Sequence, residues 1–577
     1  MAELAVQKAP LDFGIGLSDA VDEVAGGNPQ IANILKDAAG FIRLAPGTSS
    51  WSWFPSTSIT VEAASQVALV GKGWHKFTIT GPGSVSFIRT TDWASGDIVT
   101  LVLPGATTLA HNASSAPSGY APLQLATGAA VTGPGTFHFK YDGTDWDQVA
   151  DAAEREVIGI TEFKGAVVYV TKDRRLWAIS APGLISPLSN GTATTKLDGN
   201  QPPVFAATKS TLLVAGGGLM QSWTGSGLSS RVSNGPRASH VVANAQRAVA
   251  NAFDASGQFS WTEPSGTDHT SSTAWDALNF AEAEARPDAV YAIHENSDEV
   301  FLFGARTVQI FAPDANVGYA PQYTLNQGCV RYSIINLLEK RAFAWLTEDR
   351  EFVISSVRDD PTPISRPDIT RTIKNLPHVD DCTGFYWKVD NYRLLVWRFP
   401  SAGVAFAYDI DAKRWFRLLG YDTTLGDYAA YPIVSSFFWP EQNVFLVGLS
   451  TGEIAKLDMD AVSVAGQPII GRARLGFQGR GTEGPKQTLT LRVPLKRGLG
   501  SLGATNPPFI ELRWADRPGA WSKPLQLSLG AAEQNRPELV KRIVSRPYVR
   551  RQWELTIGAG VGALVGPFEE TFELLED

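Results

Sequence analysis

Five residues, Gly448 to Gly452, read GLSTG, the spacing of a hydrolase nucleophile elbow with Ser450 at its centre. That chemistry needs a strand, a strained turn and then a helix. Here FLV precedes the motif and EIAKLD follows it, so the pattern is a strand, a turn and a second strand, and Ser450 reads as a hairpin residue. The seven histidines (His75, His111, His138, His240, His269, His294, His378) are scattered, with no pair at metal-ligand spacing. The neighbours Asp359–Asp360 and Asp380–Asp381 lie in polar connecting segments, where solvated turns explain them better than a general acid–base pair. Asn190 opens an Asn-Gly-Thr triplet that, without a secretion signal, is a turn. Cys329 and Cys382 are too few for a disulfide framework or a four-thiolate site. A single bridge between them stays open, and free buried thiols are the expectation. No catalytic, cofactor-binding or metal-ligating residue is expected, and no cofactor.

What remains is electrostatics. The formal charge is −8, but from residue 461 onward 16 Lys and Arg face 11 Asp and Glu, so this part carries +5 and the rest −13. A mildly acidic body argues against sequence-reading nucleic-acid binding, which normally shows a basic face. The densest cations are Lys541, Arg542, Arg546, Arg550 and Arg551. Such a cluster is a solvated strand face, a docking patch for another subunit or partner protein, or a contact to DNA phosphates. An acidic counterpart lies in WDALNFAEAEARPD (Trp275 to Asp288), a near-helical stub. Leu278 and Phe280 would cap a blade edge while Glu282 and Glu284 stay wet; contact with a neighbouring subunit is the alternative.

The elements that position these groups are β-strands. Gly (54), Pro (35) and Trp (17) are abundant and Met (3) scarce, so short aromatic runs alternate with turn formers. Between Val157 and Asp458 seven antiparallel units recur every 40–50 residues or so, the period of propeller blades. They start at Val157, Pro203, Val241, Ala289, Ile334, Phe385 and Val434, and they turn on polar tips such as ENSDE, EDRE and DIDAKR. The expected fold is all-β: a propeller of six or seven blades (151–460), preceded by an N-terminal arm (1–50) and an inserted small β-domain (51–150). A C-terminal β-sandwich-like module (461–577) follows. The arm contains NPQIANILKDAAGFIRLAPG, read as a short amphipathic segment ended by Pro46 and Gly47. MAELAVQKAPLDFG lacks the basic flank and apolar core of a signal peptide, and no apolar run reaches a membrane-spanning length.

The stub, the strand pair that follows it, and QYTLNQGCVRYSIINLLEKRAFAWLTEDREFVI resemble one segment of the tail-nozzle proteins of short-tailed bacteriophages, also called packaged-DNA stabilisation proteins. The matching positions are Trp275, Leu278, Phe280, Ala281, Glu284, Pro287, Asp288, Leu302, Phe303, Gly304, Thr307, Phe311, Gly328, Cys329, Trp345 and Leu346. The closing IELRWADRPGAWSKPLQLSLG and VKRIVSRPYVRRQWELTI are similar to the family's last β-module, although ADRPGA replaces its acidic, glycine-rich turn. The resemblance covers about 150–577, and residues 51–150 look instead like a small module of phage fibre and tail proteins. It implies a structural virion protein assembled in the host cytoplasm: a homo-oligomer, a hexamer, below portal and adaptor proteins. That ring would retain packaged double-stranded DNA, continue its exit channel without sequence-specific binding, and carry fibres or spikes. No reaction and no membrane insertion are implied. The alternative is a propeller that binds or hydrolyses glycans on the same particle. WADRPGAWS (Trp514 to Ser522) resembles the Asp-containing hairpins of sialidase-like enzymes, but a glycosidase needs two carboxylates in one cleft, which spacing cannot show.

Overall fold

The computed structural model describes the chain except residues 1–5, 12–29, 37–41, 54–55, 61–65, 68–73, 81–82, 92, 94, 104–106, 115, 150–154, 183, 191, 233, 255–256, 264–273, 284–288, 297, 338–341, 357–358, 481–483, 496–507, 531–537, 559–564, 567 and 576–577. Seven four-stranded antiparallel arrays follow one another from Val157 to Asp458, each unit foreseen from the sequence becoming one blade. Blade 1 runs from Val157–Phe163 to Leu184–Pro187, blade 2 from Val204–Ala207 to Ser230–Arg231, and blade 3 from Val241–Asn244 to Phe280–Glu282. Blade 4 runs from Val290–Asn296 to Gly318–Leu325, blade 5 from Ile335–Leu337 to Thr362–Pro363, and blade 6 from Thr383–Val389 to Arg414–Leu418. Blade 7 begins with Ile433–Trp439. The polar tips take the positive φ that tight reversals demand: Asp298 at 67°, Arg350 at 63°, Lys413 at 52°.

The inner blade strands are apolar on both faces because each face meets a different neighbour. Phe343 and Trp345 of Ala342–Leu346 pack towards Phe301 and Phe303 of blade 4. Ala342, Ala344 and Leu346 of the same strand join Leu395, Trp397 and Trp415 of blade 6. Every blade junction has such a cluster, which accounts for the tryptophan excess. The last junction closes the ring: Trp439, Leu446 and Ile454 of blade 7 pack with Val157, Tyr169 and Trp177 of blade 1. Ser435 Oγ also donates to the Val157 carbonyl at 2.6 Å.

The fourth strand of blade 7 comes from the N-terminal arm. Gly47–Ser50 pairs antiparallel with Ile454–Asp458, and Trp51 beyond it is buried against Trp439 (ring centroids 5.7 Å apart). The amphipathic segment expected here is extended among the described residues. It forms the strands Gln30–Ala32, Ile34–Lys36 and Ile42–Leu44, the last two a hairpin, and Ile34, Leu35, Ile42 and Leu44 are buried against blade 7 and the C-terminal sheet. Gln30–Ala32 lies between the outer strand of blade 6 and Gly471–Arg474, merging blade 6 with Gln552–Ile557, Phe509–Ala515 and Leu525–Ser528 into one nine-stranded sheet. Asn33, at φ 55°, locks the join: its amide donates to the Leu419 and Ile470 carbonyls, and its oxygen accepts from Leu419 N.

Residues 56–149 form an eight-stranded and a three-stranded sheet around their own core of Phe77, Ile88, Leu101, Phe139 and Trp146. Successive coils stack in parallel, Ser56–Thr60 on Trp74–Thr80 and that on Ile98–Leu103. This unit meets blade 1 through Asp97, whose carboxylate lies 3.1 Å from Arg175 Nη1, and through the Gly96 carbonyl on buried Arg155. Lys486–Pro494, Glu538–Arg542, Phe568–Leu574 and Val6–Leu11 make a further four-stranded sheet.

Candidate functional site

The GLSTG motif is the turn of a hairpin between Val444–Leu449 and Ile454–Asp458, with Gly452 at φ 86°, and no helix follows it. Cys329 and Cys382 are both buried and are not joined by a disulfide. The fold brings together two histidines that sequence spacing kept apart. His240 stacks on Tyr332 (4.9 Å) and lies 6.1 Å from His294, and burial pushes the His294 imidazole down to about 4. Burial, then His294 and Arg331, hold His240 well below the usual range. Among the described residues no group of three or more His, Cys, Asp or Glu could hold a metal ion.

The basic cluster divides. Arg551 is not a surface cation: its residue is 1% exposed. Its guanidinium grips Asp516 in a two-point bond (Nε to Oδ1 2.6 Å, Nη2 to Oδ2 3.0 Å) and donates to Thr488 Oγ1 (2.8 Å) and Ser545 Oγ (3.0 Å). It also stacks 3.8 Å from the Tyr548 ring. Thr488 and Tyr548 pass the network on to buried Glu570, which Arg480 neutralises at 2.7 Å. Neighbouring Arg550 and Arg546 are exposed, and so is Arg542, with Lys541 half-buried. These last two lie on Glu538–Arg542, which pairs with Lys486–Pro494 on one side and is the sheet's edge among the described residues. The edge also exposes Val540 (61%) and Val544 (86%), so cations and valines share one strip.

The stub is a turn and an outer strand. Trp275 is buried between blades 2 and 3, Asp276 accepts from Leu278 N, and Phe280–Glu282 pairs with Gln258–Trp261. Leu278 and Phe280 do not cap an edge: they are exposed, Leu278 by 82% in the turn and Phe280 on the last strand of blade 3, with no strand beyond it among the described residues. Glu282 is exposed beside them, and Glu284 lies outside the described residues.

A second charged surface escaped the sequence reading. Alternation along GRAR, IELRW and QWELT puts Arg472, Arg474, Glu511, Arg513, Glu554 and Thr556 on one face of the nine-stranded sheet. Ala473, Ile510, Leu512, Trp553 and Leu555 face the core. Glu554, with no side-chain exposure, takes Arg513 Nε on one oxygen (2.6 Å) and Arg474 Nε on the other (2.7 Å). Both guanidinium groups lie against the Trp521 ring, at 4.7 and 5.0 Å. Arg472 stays 3.9 Å from the same carboxylate and lies over Tyr428, whose hydroxyl burial pushes up to about 12. Beside them opens a cleft of about 880 Å³, walled by Tyr421, Ile470, Pro508, Phe509 and Pro524.

A family model described as "Bacteriophage P22 Gp10, beta-propeller" matches residues 148–461, all but one strand of the seven-bladed ring. The chain belongs to this family. It is therefore a structural protein of the phage tail, of the nozzle (packaged-DNA stabilisation) kind, and the resemblance seen in the sequence holds. Of the residues that carried that resemblance, Phe303, Gly304, Gly328, Cys329 and Trp345 build the joint between blades 4 and 5 of this nozzle-family propeller. A Cβ on Gly328 would stand 1.9 Å from the Ala305 carbonyl, Cys329 N donates to the Gly304 carbonyl, and Trp345 Nε1 donates to the Gly328 carbonyl at 3.0 Å. Solved structures similar to the chain include a computationally designed protein, Ika8, and YCF48 from Cyanidioschyzon merolae. Each is 12% identical, covers 53% of this chain and 96% of its own, and superposes with TM-scores of 0.33 and 0.35 respectively. No curated protein matches.

Proposed function

We propose that the chain is one subunit of a hexameric ring at the distal end of a short phage tail. The ring continues the DNA exit channel below the portal and adaptor, helps retain the packaged genome and anchors fibres or spikes. The observation that carries this reading is the family match across the propeller. The charge distribution supports it: a body of net −13 repels phosphate, so DNA passes without adhering. The contact between subunits runs head to tail, the valine and cation strip of one copy (Val540, Arg542, Val544, Arg546) against the apolar and acidic turn and outer strand of blade 3 (Leu278, Phe280, Glu282) of the next. Lys541 and Arg550 flank that strip. Negative-stain imaging and solution sizing of the purified chain test the proposal, with a closed ring as the expected particle. A chain that stays monomeric with portal and adaptor present, and that binds host glycans, overturns it in favour of a glycan-binding propeller.

A further inference from the structure

We propose that the Arg472–Arg474–Arg513 face is a docking cleft for an acidic, extended peptide segment of a partner protein. The proposal is independent of ring formation. Arg472 and Arg513 line the cleft with Glu511 and Glu554, and Arg474 stands just outside it on the same sheet face, so the face as a whole keeps one excess positive charge. Two of the three are held in place: Glu554 and Trp521 fix the Arg474 and Arg513 guanidinium planes before any ligand arrives. Arg472 is different. It has a 32% exposed side chain, its buried Nε has no hydrogen-bond acceptor, and Glu554 at 3.9 Å is beyond hydrogen-bond reach. A planar guanidinium with open donors, oriented by a ring, is the group best matched to an incoming carboxylate.

The walls specify the rest of the ligand. Gln526, Ser528 and Thr556 offer polar side chains along the cleft where an extended backbone would run, while Phe509, Pro508 and Tyr421 offer apolar contact. The volume of about 880 Å³ lies within the roughly 300–1,000 Å³ that takes small ligands or a few residues of chain. Nucleic acid fits worse. A phosphate track needs a run of unopposed cations, and here Glu554 stands between Arg474 and Arg513 while Glu511 faces Arg472 across Thr556.

The test is fluorescence anisotropy on the full chain with a labelled eight-residue peptide of alternating Glu and Ser, beside the same peptide with Gln for Glu. The Glu peptide is expected to bind and to weaken as salt rises, and the Gln peptide to bind at least tenfold more weakly. Arg472→Gln is expected to reduce the affinity tenfold or more with unchanged thermal unfolding, while Arg542→Gln, on the distant edge strand, leaves it unchanged. Equal binding of the two peptides, or an Arg472→Gln chain that binds normally, overturns the proposal. So does a labelled oligothymidylate of equal charge that binds the cleft more tightly than the peptide.

Discussion

Replacing Arg551 with Ala separates a cation that holds the fold from one that holds a neighbour. The substitution removes the two-point bond to Asp516, the bonds to Thr488 and Ser545, and the stacked contact with Tyr548. Breaking a buried ion pair from one side costs about 3–5 kcal/mol, mostly because the other charge is left stranded. Two details place this site at the lower end. The Asp516 side chain is 32% exposed and regains water, and Glu570 keeps Arg480 and Thr488. The expected loss is therefore about 3 kcal/mol, confined to the C-terminal sheets. Hydrogen exchange in Lys486–Pro494 and Gln552–Ile557 under increasing urea reads it strand by strand. A double-mutant cycle with Asp516→Ala should return a coupling of about 1 kcal/mol or more. Arg542→Ala, on the exposed edge, should stay within about 0.5 kcal/mol. If Arg551→Ala shifts local stability by less than about 1 kcal/mol yet abolishes self-association, Arg551 is a docking cation and the buried-network account fails.

Trp345→Ala should destabilise the propeller by about 3–5 kcal/mol in urea titrations, since the indole is buried at the junction of blades 4 and 5; a loss below about 1 kcal/mol would contradict that placement. Arg542→Glu should weaken ring assembly while the purified chain stays folded, and Glu282→Arg in the same chain should restore it; failure of the reversal, by sedimentation, removes the proposed contact. Acidification should destabilise the chain. The unfolded histidines protonate near pH 6.5 while His294 resists until about 4, so stability present above pH 6.5 is lost as the pH falls towards 4, by up to about 3 kcal/mol from this residue. His294→Phe should flatten that part of the urea midpoint–pH curve, and an unchanged slope would assign the acid sensitivity elsewhere. Replacing residues 56–149 with a flexible linker should leave the propeller folded, as the excised part has its own core, provided Arg175→Met relieves the cation that loses Asp97; thermal unfolding and proteolysis decide.

The blades were legible because each is a local hairpin run with its own turn signal, and Phe343 beside Ala344 already announced two covered faces. Pairings between distant segments were not. Nothing in Gly47–Ser50 says that it completes a sheet with Ile454–Asp458, and the alternation of Gln30–Ala32 is too short to fix its period. The stub misled because WDALNFAEAE has apolar residues at helical spacing, yet a turn at Asp276 and backbone pairing to Phe259 decided its shape. Charge was misjudged in a related way. Crowding in sequence drew attention to Arg551, which is buried, whereas Arg472, Arg474 and Arg513 stand together only after strands far apart in sequence are laid side by side.

The strand Gly47–Ser50 leaves the ribosome long before Ala455–Asp458, the only strand against which it finds its place among the described residues. During translation it has no partner for some four hundred residues, and the first and last blades cannot meet. Closure is therefore a late event, with a large loop to bring together, although the entropic penalty grows only slowly with loop length. A chain interrupted before Ile454 would have six complete blades, a seventh of two strands and a loose leading strand. Such a product stays open to proteases and holdases, so the order of synthesis itself sorts finished subunits from unfinished ones before any of them reaches a particle.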